Sequence, residues 1–367
     1  MRRGSFGSVL LLIALLLAAC GNSGSGTQAS PAASPAVSAV AEASSAPSPT
    51  IAATPTIGPT PIPTPGPDEF ANPVIDQDFP DPDTLKVGET YYAYATNSGG
   101  TNVQTATSTD LVHWQVIGEA LPALPGWASG GFTWAPEVTT TADGAGYLLY
   151  FTARDTASNF QCIGVATSDK PEGPFQSTAD KALICPTGEG GAIDAGSFVD
   201  EDGTRYVLWK NDGNCCGGLT RLYLQKVSAD GLTLESEPVK LIENDQLWEG
   251  LVVEAPTLWK HGGKYYLFYS ANNYAGLDYS VGYAVADQIT GPYTKADGPL
   301  LKSDIQTGAA IGPGGQDIVL DKDGEPWIMY HSWDPTVSYR RIMIDELAWE
   351  GDTPVVRGPD KVPQPLP

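Results

Sequence analysis

One pattern recurs five times in this chain: a short apolar segment, a polar turn that contains glycine, and a second segment in which aromatic residues alternate. Each copy has the character of a β-hairpin. The copies follow one another at intervals of about 60 residues, which is enough for one four-stranded blade each. They span residues 83–94, 137–151, 197–209, 257–269 and 317–330.

The repeat predicts an all-β chain folded as a five-bladed β-propeller. A two-sheet sandwich is the alternative all-β architecture, but it would not produce five similar copies. The chain contains 41 Gly and 31 Pro, and no long amphipathic helical pattern runs through it. This composition agrees with many short strands joined by turns.

A different composition precedes the repeat. Arg2 and Arg3 stand before a short apolar run that ends at Leu17-Ala18-Ala19-Cys20. This arrangement resembles the cleavage box of a bacterial lipoprotein signal peptide, with plain secretion as the alternative. We therefore predict a signal peptide over residues 1–19 and a lipid anchor on Cys20, which place the protein outside the cytoplasm on a membrane surface.

Residues 20–67 then form a tract rich in Ser, Ala, Thr and Pro. Such a tract cannot bury a core, so we predict a disordered linker there. The propeller domain is expected over residues 68–367, as a monomer that meets the membrane only through the lipid.

The net charge excludes one class of partner. The formal net charge is −23 at pH 7, from 43 acidic and 20 basic side chains. A chain this acidic is repelled by phosphate backbones, so we expect no nucleic-acid partner. A carbohydrate polymer carries no such penalty.

Four cysteines lie within the repeat region: Cys162, Cys185, Cys215 and Cys216. An exported protein can form disulfides, and four cysteines allow three pairings. We favour Cys162–Cys185 with a bond between the neighbours Cys215 and Cys216, because the first two flank one connection between blades. The other two pairings join Cys162 and Cys185 to the adjacent pair, and they remain open.

Three acidic residues stand at matching points of the repeat, each just before a hairpin: Asp81, Asp194 and Glu254. The first strands of propeller blades line the central channel, so these carboxyl groups are expected to meet there. Hydrolysis of a glycosidic bond needs one ionised and one protonated carboxyl group. A third carboxylate nearby raises the pKa of the acid.

The motifs around these acids make the chain similar to glycoside hydrolase family 43 over essentially all of residues 70–367. That family is a five-bladed propeller of inverting enzymes that degrade arabinan and xylan. The motifs that carry the resemblance are Phe79-Pro80-Asp81-Pro82-Asp83, Ser108–Trp114, Trp134–Val138, Lys170–Phe175, Ile193–Phe198, Val253–Pro256, Gly291–Tyr293 and Tyr330-His331. Ala195 is a departure, because the family usually has Pro at that position.

The resemblance implies a role for each acid. Asp81 would be the general base, Glu254 the general acid, and Asp194 the residue that orients the acid and raises its pKa. Rivals exist for two roles: Asp83 lies two residues after Asp81, and Glu249 lies near Glu254. Glu137 is a further carboxyl group that could face the channel.

Four residues are predicted to bind substrate. Phe79, Trp134 and Trp209 offer aromatic faces for sugar rings, although aromatic residues in propeller strands also serve blade cores. Arg340 matches an Arg of the family that points at the sugar or at the acids, with Arg341 as its rival if the register differs by one.

One departure concerns a metal. In several family members a His after Pro-Gly in the fifth blade holds an axial calcium or a hydrated cation. Here Gly315 stands at that position, after Pro313-Gly314. An axial calcium is therefore in doubt, and we predict no metal and no cofactor.

The sequence thus predicts an inverting glycoside hydrolase that cleaves α-L-arabinofuranosidic or β-D-xylosidic bonds in plant polysaccharides. Alternatives are an endo-arabinanase on the same fold and a non-catalytic glycan-binding lipoprotein. A retaining enzyme that hydrolyses fructan or sucrose is a further alternative. The families of such enzymes carry Asn-Asp-Pro and Arg-Asp-Pro motifs, whereas here Pro80 precedes Asp81 and no Arg-Asp-Pro occurs.

Overall fold

The computed structural model describes residues 64–367 of the chain, in which five small antiparallel sheets surround one axis. The predicted signal peptide, Cys20 and most of the predicted linker lie outside the described residues. Within residues 64–367, no helix is long and apolar enough to cross a membrane.

In each blade the strands follow chain order from the axis outwards. Blade one contains β2 Asp83–Val87, β3 Thr90–Ala95, β4 Gln104–Ser108 and β5 Gln115–Glu119, and blade two contains β6 Ala128–Thr140, β7 Tyr147–Asp155 and β8 Gln161–Ser168. Blade three contains β9 Ala192–Val199, β10 Arg205–Asn211, β11 Arg221–Val227 and β12 Val239–Glu243. Blade four contains β13 Val253–His261, β14 Lys264–Ala271, β15 Ser280–Ala286 and β16 Thr294–Lys295, and blade five contains β17 Gly314–Leu320, β18 Pro326–Trp333, β19 Arg340–Glu350 and β20 Thr353–Arg357.

Short elements complete the fold. A two-stranded sheet pairs β1 Glu69–Phe70 with β21 Gln364–Pro365, which brings the two ends of the propeller together. Three 3-10 helices lie in connections, at Thr187–Glu189, Gly213–Cys216 and Leu247–Glu249. The five-bladed propeller predicted from the repeat is confirmed.

The second blade differs from the expectation of four strands per blade. It has three strands, and its outer edge is reduced to a single bridge between Thr167 and Gln176. Pro171 and Pro174 lie between those two residues. Because proline has no N–H to donate, this segment cannot form a continuous ladder with β8.

Five apolar clusters fill the spaces between neighbouring blades, one for each interface. The alternation of side chains along the second strand of each blade explains how one strand serves two interfaces. In β14, Leu267 and Tyr269 pack toward blade three, while Tyr266 and Phe268 pack toward blade five. Both faces of such a strand are therefore apolar.

The innermost strands share a backbone feature that shapes the channel. A residue with a positive φ lies in each of these strands or, in blade one, just before it: Asp81 (54°), Ala135 (38°), Asp194 (54°), Ala255 (50°) and Gly315 (56°). The strand pairing shifts register at this point in blades two to five. A left-handed residue within a strand turns the chain locally and redirects its side chains. The predicted catalytic acids occupy or adjoin these positions in blades one, three and four.

The described residues contain two disulfides, Cys162–Cys185 and Cys215–Cys216. They correspond to the pairing favoured from the sequence. The first joins β8 to the connection that leads to blade three.

Candidate active site

A cavity of about 340 Å³ opens at one end of the central channel. Residues from all five blades reach it: blades one to four contribute the left-handed residue of their innermost segments, and blade five contributes Arg340 at the start of β19. Asp81, Asp194 and Glu254 line this cavity together with Trp134 and Arg340. The structure therefore brings the three predicted catalytic acids into one site.

Asp81 is held as a carboxylate by three neighbours. Its Oδ2 accepts a hydrogen bond from Thr96 Oγ1 at 2.6 Å, and its Oδ1 accepts one from Arg340 at 3.0 Å. His331 Nδ1 lies 3.1 Å from the same Oδ1. Burial raises the pKa of Asp81, but the charge of Arg340 and the contacts with His331 and Thr96 outweigh it, so the pKa falls below its ordinary value. Asp81 is thus held in its ionised form, which is the form that a general base needs.

Asp194 and Glu254 have the opposite environment. Burial, followed by the charge of Glu254, raises the pKa of Asp194 to about 8. The pKa of Glu254 is also raised, chiefly by burial. Asp194 Oδ2 accepts a hydrogen bond from the backbone N–H of Ala255 at 3.0 Å, which ties it to the residue after Glu254. The pair therefore retains a proton near neutral pH.

Glu254 is fixed by two further groups that the sequence analysis missed. Tyr279 donates a hydrogen bond from its hydroxyl to Glu254 Oε1 at 2.8 Å. Lys210 Nζ lies 3.5 Å from Glu254 Oε2 and donates to Asn214 Oδ1 at 2.7 Å. The Lys210 side chain is fully buried. The sequence did contain a signal for Lys210, because it directly follows the apolar residues Val207–Trp209 within β10. A lysine in such a strand is seldom buried unless a charged partner lies beside it.

The cavity thus holds an ionised carboxylate and a protonated carboxyl pair, each beside its own cation. This is the division of roles that hydrolysis of a glycoside needs, with one group to activate water and another to protonate the leaving oxygen.

The aromatic residues divide between the cavity and the core. Trp134 lines the cavity and is partly exposed, as a sugar-stacking residue requires. Phe79 and Trp209 do not line it, which corrects the prediction that they bind sugar. Phe79 is fully buried in the cluster between blades five and one. Trp209 is buried between blades two and three, where its ring stacks on Tyr223. Both faces of these strands are apolar, so the sequence did not separate the two environments.

The rival residues lie elsewhere. Arg341 is buried, and it is the guanidinium of Arg340 that reaches Asp81, at 3.0 Å. Glu249 is fully buried, where it accepts a hydrogen bond from Tyr269 and pairs with Lys295. Asp83 lies deeper in the channel than Asp81, beside Glu137.

These deeper acids form a separate cluster of three, Asp83, Glu137 and Asp317, contributed by blades one, two and five. Each accepts a hydrogen bond from the next blade: Asp83 from Val138 N–H, Glu137 from Ser197, and Asp317 from Thr84 N–H. Burial is the largest cause of a raised pKa for all three, and the value for Glu137 is about 7. The cluster fastens neighbouring blades to one another around the axis.

We expect Asp317→Asn to stabilise the protein, and by more at pH 8 than at pH 5. A carboxyl group whose pKa is raised on folding contributes full stability below its unfolded pKa, and that stability is lost as the pH rises toward the folded value. Asparagine stays neutral and still accepts the hydrogen bond from the Thr84 N–H, so the variant avoids this loss of stability. The gain in free energy of unfolding is about 1.4 kcal/mol for each unit by which folding raises the pKa of Asp317. Melting temperatures measured from pH 5 to pH 8 test this. Asp323→Asn, at an exposed turn, is the matched control. A gain that does not grow with pH would contradict the expectation.

We expect Lys210→Met to move the alkaline limb of the pH–activity profile upward by about one pH unit. Lys210 lowers the pKa values of Asp194 and Glu254, which burial raises, and methionine keeps its length without its charge. The acid would then keep its proton to a higher pH. The measurement is kcat/KM from pH 5 to pH 10, with Lys226→Met on the surface as the control. An unmoved alkaline limb would show that Lys210 does not act on the acid.

The axial metal of the resembling family does not fit the residues found here. A Cβ added to Gly315 would lie 2.7 Å from His331 Nδ1 and 2.8 Å from Asp81 Oδ1, so His331 already fills the space of a side chain at this position. The amide of Gln316 is committed to Ser270 and Ala255. Among residues 64–367 no group of three or more His, Cys, Asp or Glu side chains is arranged to hold a metal ion.

Comparison with known proteins agrees with this geometry. Residues 70–354 match the profile of "Glycosyl hydrolases family 43". A protein described as a β-D-galactofuranosidase from Aspergillus niger is 28% identical over 278 residues, which cover 71% of this chain and 76% of that protein. An extracellular endo-α-(1→5)-L-arabinanase from Thermotoga petrophila is 29% identical over 276 residues, which cover 65% of this chain and 55% of that protein. The chain therefore spans little more than half of that relative.

A solved structure gives the same picture. A thermostable family-43 glycoside hydrolase superposes with a TM-score of 0.72 at 34% identity, over 81% of this chain and 99% of that one.

Proposed function

The chain belongs to glycosyl hydrolases family 43, and on that premise we propose that it is an inverting exo-acting hydrolase of α-L-arabinofuranosides, with β-D-xylosides as the second substrate class. Its substrates would be plant cell-wall polysaccharides or their oligosaccharides. The observation that carries the proposal is the meeting of Asp81, Asp194 and Glu254 in one cavity, with the first ionised and the other two sharing a proton.

The residues take the following roles in the proposed reaction. Asp81 removes a proton from the attacking water, and Arg340 keeps Asp81 ionised until then. Glu254 donates its proton to the leaving oxygen as the glycosidic bond breaks. Asp194 shares the buried proton with Glu254, and the hydrogen bond that its Oδ2 accepts from the N–H of Ala255 holds the segment of Glu254 in place. Trp134 offers a face for the sugar ring.

The size of the cavity supports exo action. Its volume of about 340 Å³ lies near the lower end of the range for small-molecule sites, about 300–1,000 Å³. A cavity of that size suits a chain end better than a long internal stretch of polymer. Two relatives are described as a galactofuranosidase and an arabinanase, which supports a furanose as the sugar whose bond is cleaved. Endo-arabinanase activity is the main alternative.

We further propose that lipid on Cys20 holds the enzyme on the outer side of a membrane, with residues 20–67 as a flexible tether. The small residues before Cys20 support this. Labelling of cells with a radioactive fatty acid should mark the wild-type protein and leave Cys20→Ala unmarked. Equal labelling of both would remove the proposal.

The enzymatic proposal is tested with residues 68–367 and 4-nitrophenyl α-L-arabinofuranoside. Release of nitrophenol, with the β-anomer of arabinose as the first product seen by NMR, would support an inverting arabinofuranosidase. Retention of configuration would favour the fructan-type chemistry. Activity on linear arabinan alone would make the protein an endo-arabinanase, and binding of glycan without turnover would make it a non-catalytic module.

A further inference from the structure

A disulfide between sequence neighbours lies on the wall of the cavity. Cys215 and Cys216 are bonded to one another at the end of the 3-10 helix Gly213–Cys216, and Cys215 lines the cavity. Both residues are exposed. Nothing in the proposed mechanism uses them.

This bond does not stabilise the fold by joining distant parts of the chain. A disulfide stabilises a fold mainly by closing a loop of chain in the unfolded state, and the effect grows with the length of the loop. Cys215 and Cys216 are adjacent, so their bond encloses no intervening residues. Cys162–Cys185, by contrast, has a sequence separation of 23 and joins two segments. The adjacent pair therefore has to be explained by the surface that it presents.

The surface is held firmly. The N–H of Cys215 donates to the carbonyl of Asp212 at 3.1 Å, and the N–H of Gly218 donates to Gly213 at 2.8 Å. On the other side, a Cβ added to Gly190 would lie 3.2 Å from Cys215 Sγ, so the backbone there lies close against the disulfide. A sulfur surface fixed in this way loses little freedom when a ligand contacts it.

The disulfide lies on the side of the cavity that belongs to the proposed acid. Asn214, which precedes Cys215, accepts the hydrogen bond of Lys210 at 2.7 Å, and Lys210 is 3.5 Å from Glu254 Oε2. The acid faces the oxygen that departs, whereas Asp81 faces the attacking water. A sugar next to the Cys215 side of Glu254 is therefore the leaving group.

We propose that the Cys215–Cys216 disulfide is the apolar wall of the site for the leaving-group sugar, and that it packs against a C–H face of that sugar. Sulfur is polarizable and apolar, and sugar rings present C–H groups on one face. The proposal rests on the hydrolytic function proposed above. It makes the disulfide a determinant of affinity for oligosaccharides without a part in bond cleavage.

The test uses binding, so that it does not depend on proton transfer. In a Glu254→Gln background, affinities for a disaccharide and for its monosaccharide are measured by calorimetry, with and without Cys215→Ser/Cys216→Ser. The sugars are arabinobiose and arabinose, or xylobiose and xylose, according to which disaccharide the wild type hydrolyses. We expect the double substitution to weaken disaccharide binding about tenfold and to leave monosaccharide binding unchanged.

Each outcome is decisive. Equal losses for both sugars would mean that the segment only supports the whole site, and unchanged affinities would mean no contact. Either result overturns the proposal. Cys162→Ala/Cys185→Ala is the matched control, which should lower the melting temperature and leave the ratio of the two affinities as it was. A wild type that hydrolyses neither disaccharide would refute the proposed function instead, before this test begins.

Discussion

Asp81→Asn is expected to lower kcat by about 10³–10⁴-fold while leaving the fold intact, because an amide cannot take a proton from water. Asparagine is the suitable replacement, since Asp81 has a φ of 54° and Asn tolerates the left-handed region better than most residues. It can also accept the hydrogen bond from Thr96. Release of arabinose by the purified variant, together with its melting temperature, measures the effect.

The channel offers a control two residues further on. Asp83 is also a buried carboxyl group of blade one, but it lies among the deeper acids. Asp83→Asn should keep kcat within about threefold of the wild type, because its side chain does not line the cavity. A folded Asp81→Asn protein with the wild-type rate would refute the assignment of the base.

Glu254→Gln is expected to show an effect that depends on the leaving group. For an oligosaccharide, whose departing alkoxide needs a proton, kcat/KM should fall by about 10²–10⁴-fold. For a 2,4-dinitrophenyl glycoside, whose leaving group needs no acid, it should fall less than about tenfold. The alkaline limb of the pH profile should also disappear, because the amide of Gln has no acidic proton whose loss at high pH would lower the rate.

Glu249→Gln serves as the control for that experiment. Glu249 is a buried glutamate five residues earlier that pairs with Lys295, away from the cavity. Its loss should lower the melting temperature and leave the ratio of the two kcat/KM values unchanged. A Glu254→Gln protein with equal losses on both substrates would show that Glu254 positions the substrate and does not supply the proton.

The sequence predicted the parts of this molecule that repeat. Five hairpins with a glycine turn were visible as a pattern, and each became the first two strands of a blade. The three acids were visible because they stand at the same point of three copies. The missing fourth strand of blade two was not foreseen, although Pro171 and Pro174 made it explicable.

Contacts between blades were harder to predict. Trp134 lies in the innermost strand of blade two and Trp209 in the second strand of blade three; the first lines the cavity and the second lies between two blades. Because both faces of a blade are apolar, the alternation of side chains along a strand does not show which aromatic residue reaches the cavity at the axis. Lys210 and Tyr279 meet Glu254 from positions 44 residues before it and 25 residues after it, across the interface with blade three and within blade four respectively, so only the folded blades bring them together.

The contact between Arg340 and Asp81 joins residues 259 positions apart. During synthesis on the ribosome, Asp81 emerges long before the arginine that keeps it ionised. Until blade five is made and docks against blade one, Asp81 lacks the cation that offsets the cost of its burial. The pairing of Asp81 with its cation therefore requires the first and the last blade together, so the site is complete only in the closed ring.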